Sequence, residues 1–504
     1  MKTVITAAQT READRHTIET HPIASIDLME KASAAFVTVF MQCYPDKNTQ
    51  VLICCGTGNN GGDGLAIARL LQEHSYDAVT VWVARFGGRE SDDFAANLAR
   101  LRNTPIPVTE LLADTALPPV QQDVVIDALL GSGLNKPLQG DWLRLVEHIN
   151  HAERPIVAVD IPTGLRADGV IDTTEPTVQA RHVISFQRPK LSFFFPESAR
   201  AVGQFHVVDI GLDEGFIETL PGDFKLIEPG DIQQVYRPRT SFSHKGTYGH
   251  ALIVAGNTET MGAALLACGA CLYSGAGRTT ACIPETGLPA LNTRLPEVMY
   301  RAPTELRDKW NQFDAIGIGP GLGLDLGSTD RLPIIEECIG SVDKPMVVDA
   351  DALTYLAPYG RKGIGPLPKG SILTPHMKEF DRLFGIHNSW WDRVATAREQ
   401  AMRHQLIIVL KNRYTFIALS DGRVLINPTG NPAMASGGMG DVLTGMLTAF
   451  LAQGYAPSEA ALLGCYLHGA AGDRLAHDAG MGVIPAGQLI QAIPTILGSL
   501  PQVN

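Results

Sequence analysis

Short, largely apolar segments alternate with helical segments through the first half of this chain, and this alternation limits the fold more than any other feature. The segments that we predict as strands are 49–55, 78–84, 123–128, 155–160, 182–186 and 205–208. A strand that is apolar along its length is covered on both faces, as in a parallel sheet with helices on each side. We therefore predict a doubly wound α/β fold, which binds its ligand at the carboxyl ends of the strands.

The length of the chain and a second run of such segments indicate a second α/β domain. At 504 residues the chain exceeds the size of one ordinary domain. Strands in the second half are predicted at 249–256, 315–319, 345–349, 371–374, 406–410 and 415–419, the last two flanking the short turn of a β-hairpin. Proline and glycine interrupt the weakly periodic stretch 212–247, so we predict domains 1–220 and 226–504.

Composition restricts the partners and the location of the protein. The net charge of -12 argues against a nucleic-acid partner, since a phosphate backbone requires a basic surface. No apolar run approaches the roughly 20 residues of a membrane span, and the first residues lack the apolar core of a secretion signal. Eight cysteines in so long a chain predict no disulfide framework, so we expect a cytoplasmic protein. We interpret the lone Cys268–Cys271 CxxC pair as packing residues, because a zinc site would need further ligands.

The segment GNPAMASGGMGDVLTG, residues 430–445, places a glycine-rich loop directly before an apolar helix. Free backbone N–H groups and the positive end of the helix dipole make such a junction a site for an anion. Asp441, at the start of the helix, would repel a phosphate beneath it, but it suits a base that acts beside the phosphates. A glycine turn with an aspartate helix cap explains the same residues equally well.

Other loops after predicted strands of the second half carry residues that could serve the same site. Gly319–Gly323 (GPGLG) offers backbone N–H groups, His376 directly follows a strand, and Lys411–Thr415 (KNRYT) brings cations and donors to a hairpin turn. Each feature alone is weak, since a single histidine after a strand is most often structural and such a turn is most often a solvated tip. Their order in one chain is far more specific.

Essentially the whole second half resembles the ADP-dependent NAD(P)H-hydrate dehydratases of the ribokinase-like superfamily, through GNTETMGAALLA, GPGLG, VVDADAL, LTPHMKEF, VLKNRYT and the loop before Asp441. The resemblance implies a repair reaction, in which a hydroxyl on a hydrated nicotinamide ring is phosphorylated from ADP and leaves as phosphate. It implies Asp441 as the base. The implied ADP contacts are Lys411, Asn412, Arg413, Tyr414, Thr415 and Gly440, and the implied contacts to the hydrated nucleotide are Ala263, Leu322, His376 and Asp441. Phosphoryl transfer also makes Mg²⁺ an expected cofactor.

The glycine motif of the first half favours a site other than that of a dehydrogenase. Residues 56–61 (GTGNNG) match GxGxxG between a strand and a helix. A dehydrogenase would carry an acid about 20 residues later, at the end of the next strand. That region reads VWVARF, with Arg85 and no acid. The following Gly62-Asp63-Gly64 is also unnecessary for a Rossmann turn.

Residues 6–212 resemble the NAD(P)H-hydrate epimerases, through LMEKA, GNNGGDG, DALLGSGLNKPLQG and VDIPTGL. The resemblance implies a Rossmann-like domain with Asp160 as the acid/base beside the epimerised carbon. The implied contacts to the hydrated nucleotide are Asn59, Asn60, Gly61, Gly62, Asp63, Gly131, Ser132, Gly133, Leu134, Asn135, Lys136, Pro137 and Asp160. The implied K⁺ ligands are Asn60, Asp127 and Thr163, where family members often carry serine in place of the threonine. For Asp127 and Asp160, a strand-end carboxylate bonded to nearby N–H groups is the structural alternative.

Together the two resemblances imply one bifunctional repair enzyme. The first half would interconvert the S and R forms of hydrated NADH and NADPH, and the second would return the S form to NAD(P)H at the expense of ADP. We expect small-molecule substrates, no nucleic-acid or membrane partner, and a homo-oligomer. The alternative is a small-molecule kinase of the ribokinase superfamily with a non-catalytic N-terminal binding module. The presence of Asn59, Asn60, Asp63 and Asp160 disfavours a pure binding role.

Overall fold

The computed structural model describes residues 1–134, 136–306, 309–323, 332–360 and 367–501. Within it the chain forms two compact units. The N-terminal unit comprises Thr3–Gly222 and Ser389–Trp391, and the C-terminal unit comprises Met1–Lys2, Asp223–Asn388 and the chain from Asp392 onward.

The N-terminal unit is built on a parallel sheet. The elements up to its end are β1 (Lys2–Thr3), α1 (Ala7–Thr20), α2 (Ser25–Cys43), β2 (Val51–Cys55), α3 (Asn59–Glu73), β3 (Val79–Arg85), α4 (Asp92–Leu101), β4 (Val108–Leu112), β5 (Val124–Ala128), α5 (Asp141–His151), β6 (Ile156–Val159), β7 (Ala180–Phe186), β8 (Val202–Val208) and α6 (Glu214–Thr219). The seven-stranded sheet has the order β4-β3-β2-β5-β6-β7-β8, and its neighbouring strands are all parallel. The order reverses between β2 and β5, so the crevice between their carboxyl ends is where such a fold binds ligands.

Helices cover both faces of this sheet, as the fully buried strand β2 shows. Ile53 packs in one apolar cluster with Phe36 of α2 and Leu65 of α3, whereas Leu52 packs in another with Val146 of α5. Each such buried side chain contributes on the order of 2 kcal/mol to folding. The prediction of a doubly wound parallel sheet is confirmed for this unit.

The C-terminal unit contains a larger mixed sheet. Its elements are β9 (Phe224–Leu226), α7 (Pro229–Val235), β10 (His250–Val254), α8 (Met261–Tyr273), β11 (Arg278–Cys282), α9 (Leu288–Arg294), β12 (Met299–Arg301), β13 (Ala315–Ile318), α10 (Leu332–Ser341), β14 (Met346–Val348), α11 (Ala350–Gly360), β15 (Ile372–Leu373), α12 (Met377–Phe384), α13 (Trp390–His404), β16 (Ile407–Leu410), β17 (Thr415–Ala418), β18 (Val424–Asn427), α14 (Met439–Ala452), α15 (Pro457–Asp478) and α16 (Ala486–Gly498). The sheet includes the order β9-β18-β17-β16-β15-β14-β13-β10-β11-β12. Strands β16 and β17 pair in antiparallel register, which confirms the predicted hairpin.

Close packing of α8 against α14 fixes the start of α14. A Cβ atom on Gly445 of α14 would lie 2.1 Å from the carbonyl oxygen of Ala267 in α8, so no larger residue fits there. Cys268 and Cys271 are buried in α8, as expected for packing residues. The first turn of α14 lies near the carboxyl end of β14, since a Cβ atom on Gly440 would be 3.6 Å from Oδ2 of Asp349, the residue that follows this strand.

The secondary structure differs from the sequence prediction at α3 and at several strands. Helix α3 begins at Asn59 rather than near Leu65, because its glycines lower helix propensity but allow close packing. A Cβ atom on Gly61 would lie 1.9 Å from the carbonyl oxygen of Gly56. Strands such as β11, which reads RTTAC, lack the apolar run that predicts a buried strand.

No helix in the described ranges is both long and apolar enough to cross a membrane. All eight cysteines lie in these ranges, and each is a free thiol.

Candidate active sites

A cavity of about 480 Å³ opens in the N-terminal unit beyond the carboxyl ends of β2 and β5. Asn59 and Asn60, in the first turn of α3, form one side, and the loop Gly131–Leu134 forms another. Asp160 and Phe186, from the ends of β6 and β7, complete the wall. Because the amino-terminal end of α3 is positive, it favours an anionic group such as a nucleotide phosphate.

Asp160 is held rigidly at this cavity. Its φ of 62° is a left-handed conformation that costs a residue with a side chain roughly 1–2 kcal/mol. Its Oδ1 atom accepts hydrogen bonds from the Phe186 N–H at 3.0 Å and the Ser185 hydroxyl at 3.2 Å. Lys190, whose side chain is 2% exposed, places its Nζ atom 2.6 Å from the same oxygen. In the described part of the chain these contacts all go to Oδ1, so Oδ2 is the oxygen available for proton exchange.

Two further carboxyl groups surround Asp160 and Lys190. Burial, together with the charge of Asp160, raises the pKa of Asp14 to about 6. Burial and the same charge also raise the pKa of Asp63 above its usual value. Asp14 and Asp63 line the cavity with Asp160, and their raised pKa values bring two carboxyl groups there closer to the pH range in which they exchange protons.

Asp127, Thr163 and Asn60 all adjoin the loop after β5: Asp127 and Thr163 bond the N–H groups of Leu129 and Leu130, and Asn60 lies beside Gly131. Asp127 is completely buried and accepts hydrogen bonds from the Thr163 N–H at 2.8 Å and the Thr163 hydroxyl at 2.7 Å. Burial raises its pKa to about 6, although these bonds and one from Leu129 lower it. The Nδ2 atom of Asn60 is buried and has no partner among the described residues, and a rotated amide would present its oxygen instead. Carboxylate, hydroxyl and amide oxygens suit a hard cation, so the residues present fit K⁺.

The cavity contains most of the residues implied for the epimerase substrate. Those that line it are Asn59, Asn60, Asp63, Gly131, Ser132, Gly133, Leu134 and Asp160. Gly61 and Gly62 instead pack α3, since a Cβ atom on Gly62 would lie 2.9 Å from the Met29 sulfur. Lys136 and Pro137 are exposed outside the cavity, and Asn135 lies outside the described residues.

Sequence reasoning missed three charged residues of this site: Arg11, Asp14 and Lys190. Lys190 follows the end of β7, so the rule that ligands meet strand ends could have found it. Arg11 and Asp14 line the cavity from α1, where no motif distinguishes them from other polar residues of an amphipathic helix.

The chemistry of the C-terminal unit converges on the first turn of α14. Gly438, with φ 91°, precedes the helix, and Asp441 lies in its first turn. Asp349 follows β14 and is 2% exposed, and its Oδ1 atom lies 2.9 Å from Nζ of Lys411, which follows β16. The Thr444 hydroxyl of α14 donates to Oδ2 of Asp349 at 2.8 Å. Strand ends and helix start thus bring the Asp441 carboxyl group, a cation and a second, buried carboxylate together.

The electrostatics of this group suit a base that acts near neutral pH. Burial and the charge of Asp349 raise the pKa of Asp441 to about 6, while Lys411 lowers it. Burial lowers the pKa of Lys411, but Asp349, Glu379 and Asp441 outweigh this effect and raise it overall. Lys411 therefore stays charged and available to an anionic substrate.

A cavity of about 490 Å³ lies beside this group. Of the implied ADP contacts, those that line it are Lys411, Asn412, Arg413, Thr415 and Gly440. Tyr414 does not line it, and its ring lies under the Arg413 guanidinium at 4.5 Å. A cavity with two cations on one wall and a helix start on another is suited to a nucleotide diphosphate.

His468 of α15 also lines this cavity, and no sequence signal identified it. Its Nε2 atom lies 3.1 Å from the Met439 carbonyl oxygen, so Nε2 carries the proton that is donated. Burial lowers the pKa of His468 to about 4, which keeps the ring neutral. A neutral imidazole has one donor nitrogen and one acceptor nitrogen, so Nδ1 of His468 is the acceptor.

The remaining implied substrate contacts of this unit lie outside the 490 Å³ cavity. Ala263 lies beside the GPGLG turn, since a Cβ atom on Gly321 would be 2.9 Å from the Cβ atom of Ala263. Leu322 is 4% exposed and packs in the apolar core. His376 caps α12 by accepting from the Lys378 N–H at 3.1 Å, yet its side chain remains 51% exposed.

Two family profiles match the chain. Residues 25–192 match a family described as YjeF-related protein N-terminus, and residues 251–495 match one described as NAD(P)H-hydrate dehydratase. The chain is similar to a bifunctional NAD(P)H-hydrate repair enzyme Nnr of Moorella thermoacetica, with 36% identity across 99% of this chain and 97% of the relative. The enzyme of that name from Escherichia coli K12 is 34% identical across 94% of this chain and 90% of the relative.

A solved structure supports the fold of the second half. A ribokinase-like superfamily protein from Enterococcus faecalis V583 superposes with a TM-score of 0.50 and 31% identity, over 55% of this chain and 96% of that one. The expected order, a Rossmann-like domain followed by a ribokinase-like one, is confirmed. The chain belongs to the family of bifunctional NAD(P)H-hydrate repair enzymes.

Proposed function

We propose that this chain repairs hydrated NADH and NADPH by two reactions, one in each unit. The observation that carries the proposal is that relatives named for both activities match almost the whole chain, and that each unit has its own cavity with a carboxylate beside it. These observations support repair over the alternative of a small-molecule kinase with a non-catalytic N-terminal module. Residues 1–220 would form the epimerase domain and 226–504 the dehydratase domain.

In the dehydratase, Asp441 would act as the general base. Its carboxylate takes the proton of the substrate hydroxyl while that oxygen attacks the terminal phosphorus of ADP, and the bond to the bridging oxygen breaks to release AMP. The phosphorylated oxygen then leaves with the electrons of its bond to carbon, and the neighbouring ring carbon loses a proton to restore the double bond. A raised pKa near 6 leaves Asp441 ionised at neutral pH but more basic than an ordinary aspartate.

The 490 Å³ cavity would hold ADP. Lys411 and Arg413 would bind its phosphates, and the N–H groups around Gly440 would add the positive end of α14. Ala263, Leu322 and His376 would contact the hydrated nicotinamide nucleotide on the other side of Asp441. The carboxylates of Asp349 and Asp441 are oxygen ligands of the kind that Mg²⁺ takes, and Mg²⁺ would neutralise charge on the phosphates when bound.

In the epimerase, Asp160 would be the acid/base. Inversion at the hydrated carbon requires that a bond to it be broken and remade on the opposite face, and a fixed carboxylate beside it moves the accompanying proton. Lys190 holds one oxygen of Asp160 in place, and Asp14 and Asp63 bring two further carboxyl groups with raised pKa values to the cavity. Asn59, Asn60, Asp63 and the 131–137 loop would hold the phosphates and ribose.

We also propose K⁺ as the cofactor of the epimerase, held by Asn60, Asp127 and Thr163. Its charge would offset that of the buried Asp127 carboxylate and fix the loop after β5, which forms the cavity wall. A reducing, cytoplasmic location fits the eight free thiols. We further expect the protein to assemble as a homo-oligomer.

The deciding experiment is a repair assay on a mixture of both hydrated NADH epimers with ADP, Mg²⁺ and K⁺, followed by the absorbance of the reduced nicotinamide. Complete recovery is expected. Recovery that stops at the fraction of the S form would remove the epimerase from the proposal. No recovery would overturn the repair function.

A further inference from the structure

A cluster of potential metal ligands lies at the edge of the N-terminal unit. Cys43 is the last residue of α2, which packs over β7 and β8, and these strands carry His182 and His206. The parallel register pairs Ile184 with His206, so the two histidines are diagonal neighbours on one face of the sheet. The Cys43 sulfur and one ring nitrogen of each histidine all lie within 4.8 Å of one another.

The two ring nitrogens are spaced like two ligands of a tetrahedral ion, and the sulfur lies within 4.8 Å of both. Nδ1 of His182 and Nε2 of His206 are 3.3 Å apart. With Zn–N distances of about 2.0–2.1 Å, two nitrogens of a tetrahedral site lie about 3.3 Å apart, and a thiolate sulfur lies about 3.6 Å from each. The two nitrogens share a hydrogen bond in this structure, and an ion would replace it with little change in their separation while the Cys43 side chain moves towards them.

We propose that Cys43, His182 and His206 form a zinc-binding site, with water as the fourth ligand. One thiolate and two imidazoles form a mixed sulfur and nitrogen ligand set, which favours Zn²⁺. K⁺ and Mg²⁺, the hard cations proposed for the two active sites, prefer oxygen ligands. Cys43 is also the single cysteine of the chain that is not fully buried, so an ion can reach it from solvent.

The surroundings allow the ligands to reach their binding forms. Burial lowers the pKa of both histidines, which keeps their nitrogens free of a second proton at neutral pH. Burial raises the pKa of the Cys43 thiol, and the nearby Arg181 opposes this.

Tyr44 provides an independent sign of an incomplete polar site. Its ring meets that of His182 edge to face, with centroids 6.2 Å apart. Its hydroxyl is buried and has no hydrogen-bond partner among the described residues. A buried hydroxyl without a partner is costly, and ordered water around an ion would satisfy it.

The site lies apart from the epimerase centre. His182 precedes Ser185, which holds Asp160, by three residues on β7, or roughly 10 Å along the strand. β8 is an edge strand, so a bound ion would tie it to β7 and to the end of α2. The expected role is to stabilise this edge rather than to take part in epimerisation.

The test uses the full-length, untagged protein after treatment with a chelator. Co²⁺ alone, as a spectroscopic substitute for Zn²⁺, should give tetrahedral absorption bands and a near-ultraviolet band from thiolate to cobalt. Competition with a chromophoric chelator should show one tight Zn²⁺ per chain. C43S and H206Q should each weaken it by more than about 100-fold, since even changes outside the ligand set cost 10–100-fold. The exposed His74 provides the matched control H74Q, which should bind zinc normally.

Two results would overturn the proposal. One is a cobalt spectrum of the unaltered protein that lacks the thiolate band, which is decisive even if the variants fail to fold. The other is unchanged zinc affinity in folded C43S and H206Q, which would locate the ion at the nucleotide site or elsewhere. Protection of Cys43 from alkylation by Zn²⁺, read by mass spectrometry, should accompany binding.

Discussion

Lys411 and Asp349 form an ion pair of 2.9 Å that joins the ends of β16 and β14 beneath the first turn of α14. A Cβ atom on Gly440 would lie 3.4 Å from Nζ of Lys411, so the pair lies directly under the helix start. Because Asp349 shares the lysine, Lys411 only partly offsets burial at Asp441, and the pKa of that carboxyl stays near 6. The ion pair thus sets the basicity of the proposed catalytic group.

D441N should abolish dehydration while it leaves nucleotide binding nearly intact. The amide keeps the shape of the carboxylate but cannot take the hydroxyl proton, and a general base is worth roughly 10²–10⁴ in rate. Single-turnover dehydration of the S form and ADP titration by calorimetry measure the two effects. D343N, at an exposed acid of the same unit, is the control. Near-normal turnover in D441N would remove Asp441 from the mechanism.

Dehydration should lose rate as the pH falls through about 6. The pKa of Asp441 is raised from 3.8 to about 6, first by burial and then by Asp349, and a base acts only when it is deprotonated. The rate should therefore fall about tenfold per pH unit below that value. D349N removes the charge that raises this pKa, so its acid limb should move to lower pH. If the acid limb of the pH–rate profile is unchanged in D349N, Asp349 does not raise the pKa of Asp441.

The sequence predicts several residues that lie at strand ends, although it misses Lys190, and it fails for those that are brought in by tertiary packing. Lys411 and Asp441 follow strands or open a helix, so pattern and resemblance together locate them. His468 lies in the middle of α15 and Asp14 in α1, where neither the hydrophobic periodicity nor a glycine-rich loop indicates a site. Gly61 has a packing reason to be glycine, since a Cβ atom there would meet the Gly56 carbonyl oxygen, and the sequence motif does not distinguish this need from that of a ligand site.

K411M should destabilise the C-terminal unit as well as reduce ADP binding. Asp349 is 2% exposed, and removal of its cation leaves a buried charge whose remaining side-chain donor, among the residues that the structure describes, is Thr444. Breaking a buried pair in this way costs about 3–5 kcal/mol. Urea unfolding measures the loss, and K369M, at an exposed lysine, should change it little.

The double variant K411M/D349N should recover part of that stability, because the buried charge is then absent. A double variant as unstable as K411M alone would show that the lysine contributes through packing instead of charge.

D160N should stop epimerisation without affecting dehydration of the S form. The amide can no longer exchange the proton, and its bond to Lys190 loses the charge that fixes the side chain. Assays on the separated epimers distinguish the two reactions within one preparation. If both activities fell together, the assignment of one reaction to each unit would be wrong.

Replacement of K⁺ by choline should slow epimerisation and leave dehydration unchanged, and D127N should remove this dependence on K⁺. The pKa of Asp127 is raised from 3.8 to about 6 by burial, so without a cation its ionisation lowers the free energy of unfolding as the pH rises from about 4 to about 6. K⁺ offsets that charge, so the rise in melting temperature on adding K⁺ should be larger at pH 7.5 than at pH 5. Thermal unfolding of the unaltered protein and of D127N, each with K⁺ or choline at equal ionic strength, measures this. An equal rise at both pH values would place the ion away from Asp127.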